Sequence, residues 1–476
     1  MFRHSNLSVW IAATVLCLGA SPRAASPQQI DYDALGEEAV EVLQLYLRVD
    51  TTNPPGNESR AVEFFAQRLE QEGIAYETAE SAPGRGNLWA KLKGGDAPGL
   101  VLLHHSDVVP ADADHWDTDP FSGEIRDGFL WGRGALDMKT LGIEHFMAFV
   151  TLHRSEVTLN RDVLFVVTAD EEAGGFFGAG WMVENRPEVF DGVGFLLNEG
   201  GSGALRDGRA SFSVEVTQKV PLWLELTAVG QPGHGSTPRV DSATKRLLRA
   251  LYRIDTYDFP PRIVPAVDSY FKALAVGADD FWRPHFEDMA STVKDRETLL
   301  RLQIDNPHSA ALTRNTCSIT MLQASSKINV VAPEASAQID CRLLPDEGLD
   351  SFTEKLRRII NDPTIGIRRI MGFTPAVSSS DTELYRAIEK LIAKWYPEAA
   401  VIPSVATGFT DSHFFRDLGI VSYGFNPILL PVEEFSGVHG NNERVPVEQV
   451  KLGTKMTLEL LLDFTRITAR RHPGAR

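Results

Sequence analysis

Leu102-Leu103-His104-His105-Ser106-Asp107-Val108-Val109-Pro110 and, further on, Trp131-Gly132-Arg133-Gly134-Ala135-Leu136-Asp137-Met138-Lys139 bracket the stretch whose reading decides the fold. Residues 101–103 are a short apolar run that stops at His105 and Asp107. Such a run reads as a buried strand delivering polar side chains to its carboxyl end, where open α/β sheets bind their ligands. His105 and Asp107 share one face of an extended chain, because side chains alternate with period two. A metal-ligating histidine usually gives its other ring nitrogen to a carboxylate or carbonyl. Asp107 is placed to orient His105 in that way, with Asp137 as a further ligand.

Outward from this stretch, helices alternate with short apolar strands. Apolar spacing predicts a helix over 31–48, broken by Thr51-Thr52-Asn53-Pro54-Pro55-Gly56, and a second over 58–72 capped by Gly73. Strands follow at 88–92 and 100–103, a helix at 141–152, a strand at 162–168, a helix at 179–184 and a strand at 194–197. That order predicts an α/β sheet with helices on both faces. Near Pro221 the pattern changes to strand 222–229, helix 243–254, strands 316–324 and 335–343, helix 352–360 and strand 365–371. With 255–312 set aside, this is a βαββαβ, ferredoxin-like unit. The expected organisation is an α/β catalytic domain over 27–220 and 375–476, with a ferredoxin-like domain inserted over 221–374. The last part carries a helix at 382–392, a strand near Val401 and a final helix at 446–465. Segment 255–312, rich in aromatic residues and proline (Phe281, Trp282, Pro284, Phe286), reads as an elaboration of the insert, and periodicity gives it no role.

At 476 residues the chain is long enough for two sizeable cores. Its formal charge of -17 argues against nucleic acid or an anionic membrane surface as partner. Residues 1–26 read as a secretory signal peptide: Arg3 and His4, an apolar core over 7–20, then small residues, with cleavage after Ser21 or Ser26. The segment is too short for a stable membrane span, and the address it implies is secreted or periplasmic. A lipidated Cys17 is less favoured, since Val15 and Leu16 are not small. Cys317 and Cys341 then remain, in two strand-like runs that face each other if a hairpin turns near Asn329. A disulfide in an oxidising compartment and two buried thiols are equally open readings.

Five places put histidine or carboxylate at or just beyond strand ends: His105 with Asp107, Asp137, the pair Glu171 and Glu172, Glu199, and His439. Singly they say little, because most histidines are surface or satisfied core residues and adjacent acids usually form a solvated face. Context raises their weight. Strand 163–168 runs directly into Ala169-Asp170-Glu171-Glu172, and 195–197 into Asn198-Glu199-Gly200-Gly201. Acids at such ends are costly unless a cation sits among them. Imidazole and carboxylate without thiolate suit zinc, with cobalt or manganese as substitutes. Two histidines and three carboxylates exceed one tetrahedral site with an open position. They suffice for two ions about 3.5 Å apart sharing a bridging carboxylate, which leaves one acid for proton transfer.

Six segments in order carry a resemblance. His105-Ser106-Asp107-Val108-Val109-Pro110, Gly132-Arg133-Gly134-Ala135-Leu136-Asp137-Met138-Lys139, Asp170-Glu171-Glu172, Gly233-His234-Gly235-Ser236-Thr237-Pro238, Asp340-Cys341-Arg342-Leu343-Leu344-Pro345 and Val438-His439-Gly440-Asn441-Asn442-Glu443 resemble successive motifs of the M20 metallopeptidases. That family includes aminoacylases, acetylornithine deacetylase, succinyl-diaminopimelate desuccinylase, glutamate carboxypeptidase and carboxypeptidase S. The resemblance implies that His105, Asp137 and Glu199 hold one zinc, and Asp137, Glu172 and His439 the other, with Asp137 bridging. It makes Asp107 the residue that orients His105, and Glu171 the general base. It gives His234 the oxyanion of the tetrahedral intermediate, often in the active site of a dimer partner, and makes the insert a lid or dimerisation domain. Arg342 matches a position that binds the substrate carboxylate, Asn329 a second contact, and Gly408-Phe409-Thr410-Asp411 a loop near the substrate. The plain readings are a polar loop residue for His234 and a surface strand arginine for Arg342. His104 stands where many members have glycine.

The implied reaction is metal-assisted hydrolysis of an amide bond beside a free carboxylate. The substrate is a small peptide in a peptidase or carboxypeptidase, or an N-acyl amino acid in an aminoacylase or deacetylase. A non-catalytic binding protein on the same fold is the competing class. It should have lost a ligand or the base, and none is missing.

Overall fold

In the computed structural model, which describes residues 30–206 and 208–467, the chain begins with helices α1 (Tyr32–Leu47) and α2 (Ser59–Gln71). The segment read as a signal peptide, with Cys17, lies outside the described residues. Strands β1 (Tyr76–Glu80), β2 (Gly86–Leu92) and β3 (Ala97–His105) follow, then the short β4 (Glu124–Arg126) and β5 (Phe129–Trp131). Helix α3 (Lys139–Arg154), β6 (Arg161–Thr168) and α4 (Ala179–Asn185) lead to β7 (Val193–Arg206) and β8 (Arg209–Gln218). No described helix is long and apolar enough to cross a membrane.

The chain then enters a second sheet: β9 (Val220–Val229), the two-residue β10 (Gly233–His234) and α5 (Ala243–Asp255). Five helices fill the segment set aside in the sequence: α6 (Pro265–Gly277), α7 (Trp282–Glu287), α8 (Met289–Thr292), α9 (Arg296–Asp305) and α10 (Pro307–Ala311). Next come β11 (Thr316–Gln323), β12 (Val330–Val331), β13 (Glu334–Leu343), α11 (Leu349–Ile360) and β14 (Gly366–Gly372). The strands order as β11-β13-β9-β14, all antiparallel, which is the ferredoxin-like arrangement. In α5 and α11 the buried side chains recur at helical spacing (Leu247, Leu251, Ile254; Phe352, Leu356, Ile360) and close the core of this sheet with Leu222, Leu224 and Leu226. Cys317 and Cys341 stand opposite each other on β11 and β13 and are joined by a disulfide.

The return leg supplies α12 (Glu383–Trp395), β15 (Ala400–Ala406), α13 (Ser412–Asp417), β16 (Val421–Pro431), β17 (Arg444–Pro446) and α14 (Val447–Thr465). The large sheet has eight strands in the order β1-β2-β6-β3-β7-β16-β8-β15 and is mixed. Its middle pairs, β3 with β6 and β7 and β7 with β16, are parallel, and their apolar runs are buried on both faces. One face packs on α1, α2, α3, α12 and α14, the other on α4 and α13.

The sequence reading places the eight helices it names within a few residues, but it cuts β7 short at 197 and misses α6 to α10, α13, β1, β8, β16, the β10–β12 pair and the three-stranded sheet of β4, β5 and β17. Beyond Glu199, β7 continues through Gly200-Gly201-Ser202-Gly203, which has no apolar alternation to read. β16 contains Gly424 and Pro427, residues that ordinarily argue against an interior strand.

Candidate metal centre

β3 and β6 end side by side and deliver His105, Glu171 and Glu172 at or just past their carboxyl ends, while β7, paired with β3 over 193–197, brings Glu199 two residues beyond that pairing and runs on to Arg206. His105 is the last residue of β3 and is fully buried. Its Nε2 lies 3.1 Å from Asp137 Oδ1 and 3.6 Å from Glu199 Oε2. His439 Nε2 lies 3.1 Å from Asp137 Oδ2 and 3.0 Å from Glu172 Oε2. Two triplets result, His105-Asp137-Glu199 and Asp137-Glu172-His439, each with its ligand atoms within 4.8 Å of one another. Asp137 belongs to both and gives a different oxygen to each.

Electrostatics show what this cluster lacks. Burial, then repulsion from Glu199, Glu172 and Asp411, pushes the Glu171 carboxyl well above the usual range, although His105 opposes the shift. Burial and the Asp137 charge push Glu199 up to about 8, and the same two causes raise Glu172. Burial alone would lower the His105 imidazole, but the carboxylates of Glu199, Asp107 and Asp137 hold it well above its ordinary value. Hydrogen bonds to Asp137 and Glu172 raise His439 to about 10. Glu171 Oε1 and Glu172 Oε1 are buried without a hydrogen-bond partner. Crowded acids, orphaned carboxylate oxygens and an N/O donor set free of thiolate fit divalent cations of the zinc class.

Asp107 faces His105 with two groups. His105 Nδ1 is 3.1 Å from the Asp107 backbone carbonyl and 3.5 Å from its carboxylate, so both stand beside the ring nitrogen turned away from the ligand cluster. The Asp107 side chain is also a clamp. Oδ1 accepts from the Glu171 N–H, and Oδ2 accepts from the Glu172 N–H and from Asn53 Nδ2. Asn53 Nδ2 also donates to Asp170, whose φ of 72° lies in the left-handed region. That conformation is sustained by bonds from Arg85 Nη2, 2.7 Å from Asp170 Oδ1, and from the Phe177 N–H to Oδ2. Arg85 is shared with buried Glu58, whose carboxyl burial and Asp107 push up to about 7. The turn carrying Glu171 and Glu172 is thus fixed from below.

A second hub holds the other two loops. Glu443, fully buried, accepts from the N–H groups of Leu136 and Asp137 at Oε1, and from Gly134 N–H and Arg133 Nη1 at Oε2. Arg133 Nη2 donates in turn to the Gly440 carbonyl, next to His439. The Asp137 loop and the His439 loop are therefore tied through one ion pair. Arg133 and Glu443 stand inside the motifs quoted above, yet sequence alone gave them no role. Asn53, Arg85 and Asp170 gave still less signal, because a buried polar hub looks like any loop polar residue until the chain is folded.

The three residues expected to touch substrate sit in the second sheet's part of the chain. His234, on β10, is exposed and bonds to Ser236 Oγ. Asn329 lies beside it, its carbonyl accepting the Gly235 N–H. Arg342, on β13, forks onto Asp340 at 2.8 and 3.1 Å, while its Nη1 is buried and unpartnered. Among the described residues no hydrogen bond ties these three to the ligand cluster. Asp411, in the Gly408–Asp411 loop, does approach it: the carboxylate accepts from Thr168 Oγ1 at 3.1 Å, at the end of β6, and burial pushes its pKa up to about 7.

A shared carboxylate between two histidine-containing triplets, beside a buried carboxyl with a free oxygen, defines a metal-dependent hydrolase. The chain belongs to peptidase family M20/M25/M40, whose profile matches residues 101–463. It is 30% identical over 382 residues to the N-fatty-acyl-amino acid synthase/hydrolase PM20D1 of Xenopus tropicalis, covering 78% of this chain and 74% of that protein. It is 28% identical to aminoacylase-1 of Sus scrofa over 442 residues, 90% of this chain and 96% of that one. In structure it is similar to the M20 family metallo-carboxypeptidase Sso-CP2 of Sulfolobus solfataricus: TM-score 0.69, 20% identity, covering 89% and 98% of the two chains. At that identity the match speaks for the fold.

Proposed function

We propose that this chain hydrolyses N-acyl amino acids to a carboxylic acid and an amino acid, using two zinc ions held by His105, Asp137, Glu199, Glu172 and His439. The observation that carries the reading is Asp137, which offers one oxygen to each histidine. Bound there, the ions supply Lewis-acid polarisation and the acidification of water. Glu171 takes the proton from the attacking water and delivers it to the nitrogen that leaves as the acyl carbon–nitrogen bond breaks. Its buried, unpartnered oxygen leaves it free for that transfer. The free Nη1 of Arg342 receives the substrate carboxylate, its other nitrogens being anchored on Asp340. His234, with Asn329 beside it, supports the developing oxyanion from a second copy of the chain. That the expected site residues of the insert share no hydrogen bond with the cluster supports such an arrangement. The insert offers a surface for it: edge strand β11 and the turn after it expose Met321, Leu322 and Ile328.

The N-acyl reading takes precedence over the peptidase reading because both sequence relatives named above act on acylated amino acids by their names. Export is part of the proposal and rests on residues 1–26, supported by the Cys317–Cys341 bridge, a bond of oxidising compartments. The test is a panel of N-acyl amino acids and dipeptides offered to zinc-loaded protein, with bound metal measured by elemental analysis. Two equivalents of zinc and turnover of acylated amino acids above dipeptides are expected. A protein that binds no metal, or that cleaves dipeptides only, refutes it.

A further inference from the structure

His104 stands where many members of the family have glycine, and the reaction above leaves it unused. It follows Leu100 and Leu102 on the face of β3 that α1, α2 and α3 cover, opposite to the face of its neighbour His105, and it is fully buried. The ring meets Tyr46 and Phe65 edge-on, and Nε2 shares a hydrogen bond of 2.7 Å with the Tyr46 hydroxyl. Nδ1 is turned to α3, so close to Gly142 that a methyl group there would stand 2.4 Å from it. The imidazole therefore fills the gap between strand and helix. Glycine weakens a helix interior, and here it is what leaves room for the ring.

This wedge is the middle of three contacts that set α3 against the end of β3. His105 N–H donates to Met138 Sδ at 3.4 Å, His104 sits on Gly142, and His145 Nδ1 donates to the Leu103 carbonyl at 3.2 Å. Positions 138, 142 and 145 share one face of the helix and its cap, while 105, 104 and 103 run back along the strand. β3 is paired with β6 as far as His105, so the strand is held and the contacts place the helix. α1 completes the arrangement: the Tyr46 carbonyl accepts from Lys139 Nζ at 3.3 Å, and the Val49 carbonyl from the same atom at 2.7 Å. One residue, Tyr46, thus holds both His104 and the start of α3. Asp137 lies two residues before Lys139 and His105 next to His104, so the thickness of the wedge decides how near Asp137 Oδ1 comes to His105 Nε2, 3.1 Å here. A metal site needs such separations kept within about 0.5 Å. We propose that His104, seated on Gly142 and tied to Tyr46, is the positioning residue that sets the separation of His105 from the bridging Asp137. The proposal rests on the two-ion reading above.

The experiment measures zinc affinity by chelator competition, the absorption spectrum of cobalt-loaded protein, which reports ligand geometry, and the melting temperature of metal-free protein. The variants are His104→Ala, Gly142→Ala, the two combined, and Tyr46→Phe, which loses only the hydroxyl. Ile388→Ala, which opens a cavity in the same core on α12, is the control for loosening alone. Alanine in place of a helix glycine ordinarily stabilises, yet Gly142→Ala drives a methyl into the ring. Zinc affinity falls at least about tenfold there and in His104→Ala, and the cobalt bands shift. With the ring gone the methyl meets no imidazole, so the double variant binds zinc no more weakly than the weaker single one, where independent losses would multiply. Tyr46→Phe shifts the cobalt bands too, and carries the test if an alanine variant does not fold. Ile388→Ala lowers the melting temperature and leaves zinc affinity at the parent value. Parent-like affinity and spectrum in the folded variants, multiplying losses in the double variant, or an equal loss of affinity in Ile388→Ala overturns the assignment. Parent protein that takes up no metal refutes the two-ion reading itself.

Discussion

Arg133→Met is the sharpest test of how the metal centre is held. Methionine keeps an apolar stem and removes the guanidinium, which bonds Glu443 Oε2 at 2.6 Å and the Gly440 carbonyl at 2.8 Å. The side chains of Arg133 and Glu443 are 3% and 0% exposed, so water does little to screen the loss. Breaking a buried pair by deleting one partner costs about 3–5 kcal/mol. Glu443 keeps three backbone donors here, which places the expected cost at the lower end, about 3 kcal/mol. Were all of it felt at the ligands, metal affinity would fall by roughly two powers of ten. Part of it relaxes into the loops, so a 10- to 100-fold loss is expected. Competition against a zinc chelator measures this on protein whose circular dichroism matches the parent. Because Arg133 and Glu443 act through each other, Arg133→Met and Glu443→Gln combined should cost less than their sum by about 1–3 kcal/mol. Parent-like zinc affinity in Arg133→Met, or strictly additive losses in the double variant, would refute the hub.

Three further outcomes are expected. Glu171→Gln should retain both metal equivalents and lose at least about 100-fold in kcat, since it removes the proton carrier and no ligand; a variant with parent-like turnover would remove Glu171 from the mechanism. Reduction of Cys317–Cys341, whose sequence separation is 24, should lower unfolding stability by about 3 kcal/mol, read as a drop in melting temperature with reductant; thiols titrating in unreduced native protein would contradict the bridge. Burial pulls the His145 imidazole down to about 4. The unfolded chain therefore binds a proton that the native one refuses between about pH 6.5 and pH 4, and stability falls across that window on acidification, by about 3 kcal/mol in total. His145→Gln should flatten that limb of the stability profile, and an unchanged slope would show that other groups carry it.

Part of the ligand set is legible because it follows strands whose apolar runs can be read, as His105 follows 101–103, Glu171 and Glu172 follow 163–168 and Glu199 follows 195–197, whereas Asp137 and His439 follow strands that cannot be read and stand out only through the motifs around them. The ferredoxin-like order was legible for the same reason, in the alternation of β9 and β13 and the amphipathic α5 and α11. What stayed hidden depends on contacts between distant segments. Arg85 meets Asp170, and Arg133 meets Glu443, only after the sheet has formed. Period-two spacing puts Asp107 beside His105, 3.5 Å from Nδ1, but it gives no sign that the same carboxylate also accepts the Glu171 and Glu172 N–H groups, a contact made only when β6 lies next to β3. Segment 255–312 carried aromatic residues without a period. Three of its five helices have six residues or fewer, and the segment packs on Val405 of a sheet from another part of the chain, so little in the local sequence announces it.

β16 lies between β7 and β8, two strands made long before it, and the residues that finish the site, His439 and Glu443, come later still. A ribosome working from the amino end therefore releases most of the polypeptide while the central layer still has a gap. A complete metal site must wait until His439 and Glu443 have emerged, because until then Asp137 has only one of its two imidazole neighbours and its loop lacks a tether. Products stopped before residue 421 would carry the burden of unsheltered acids together with two unfilled strand edges, and would be substrates for quality control rather than slow enzymes.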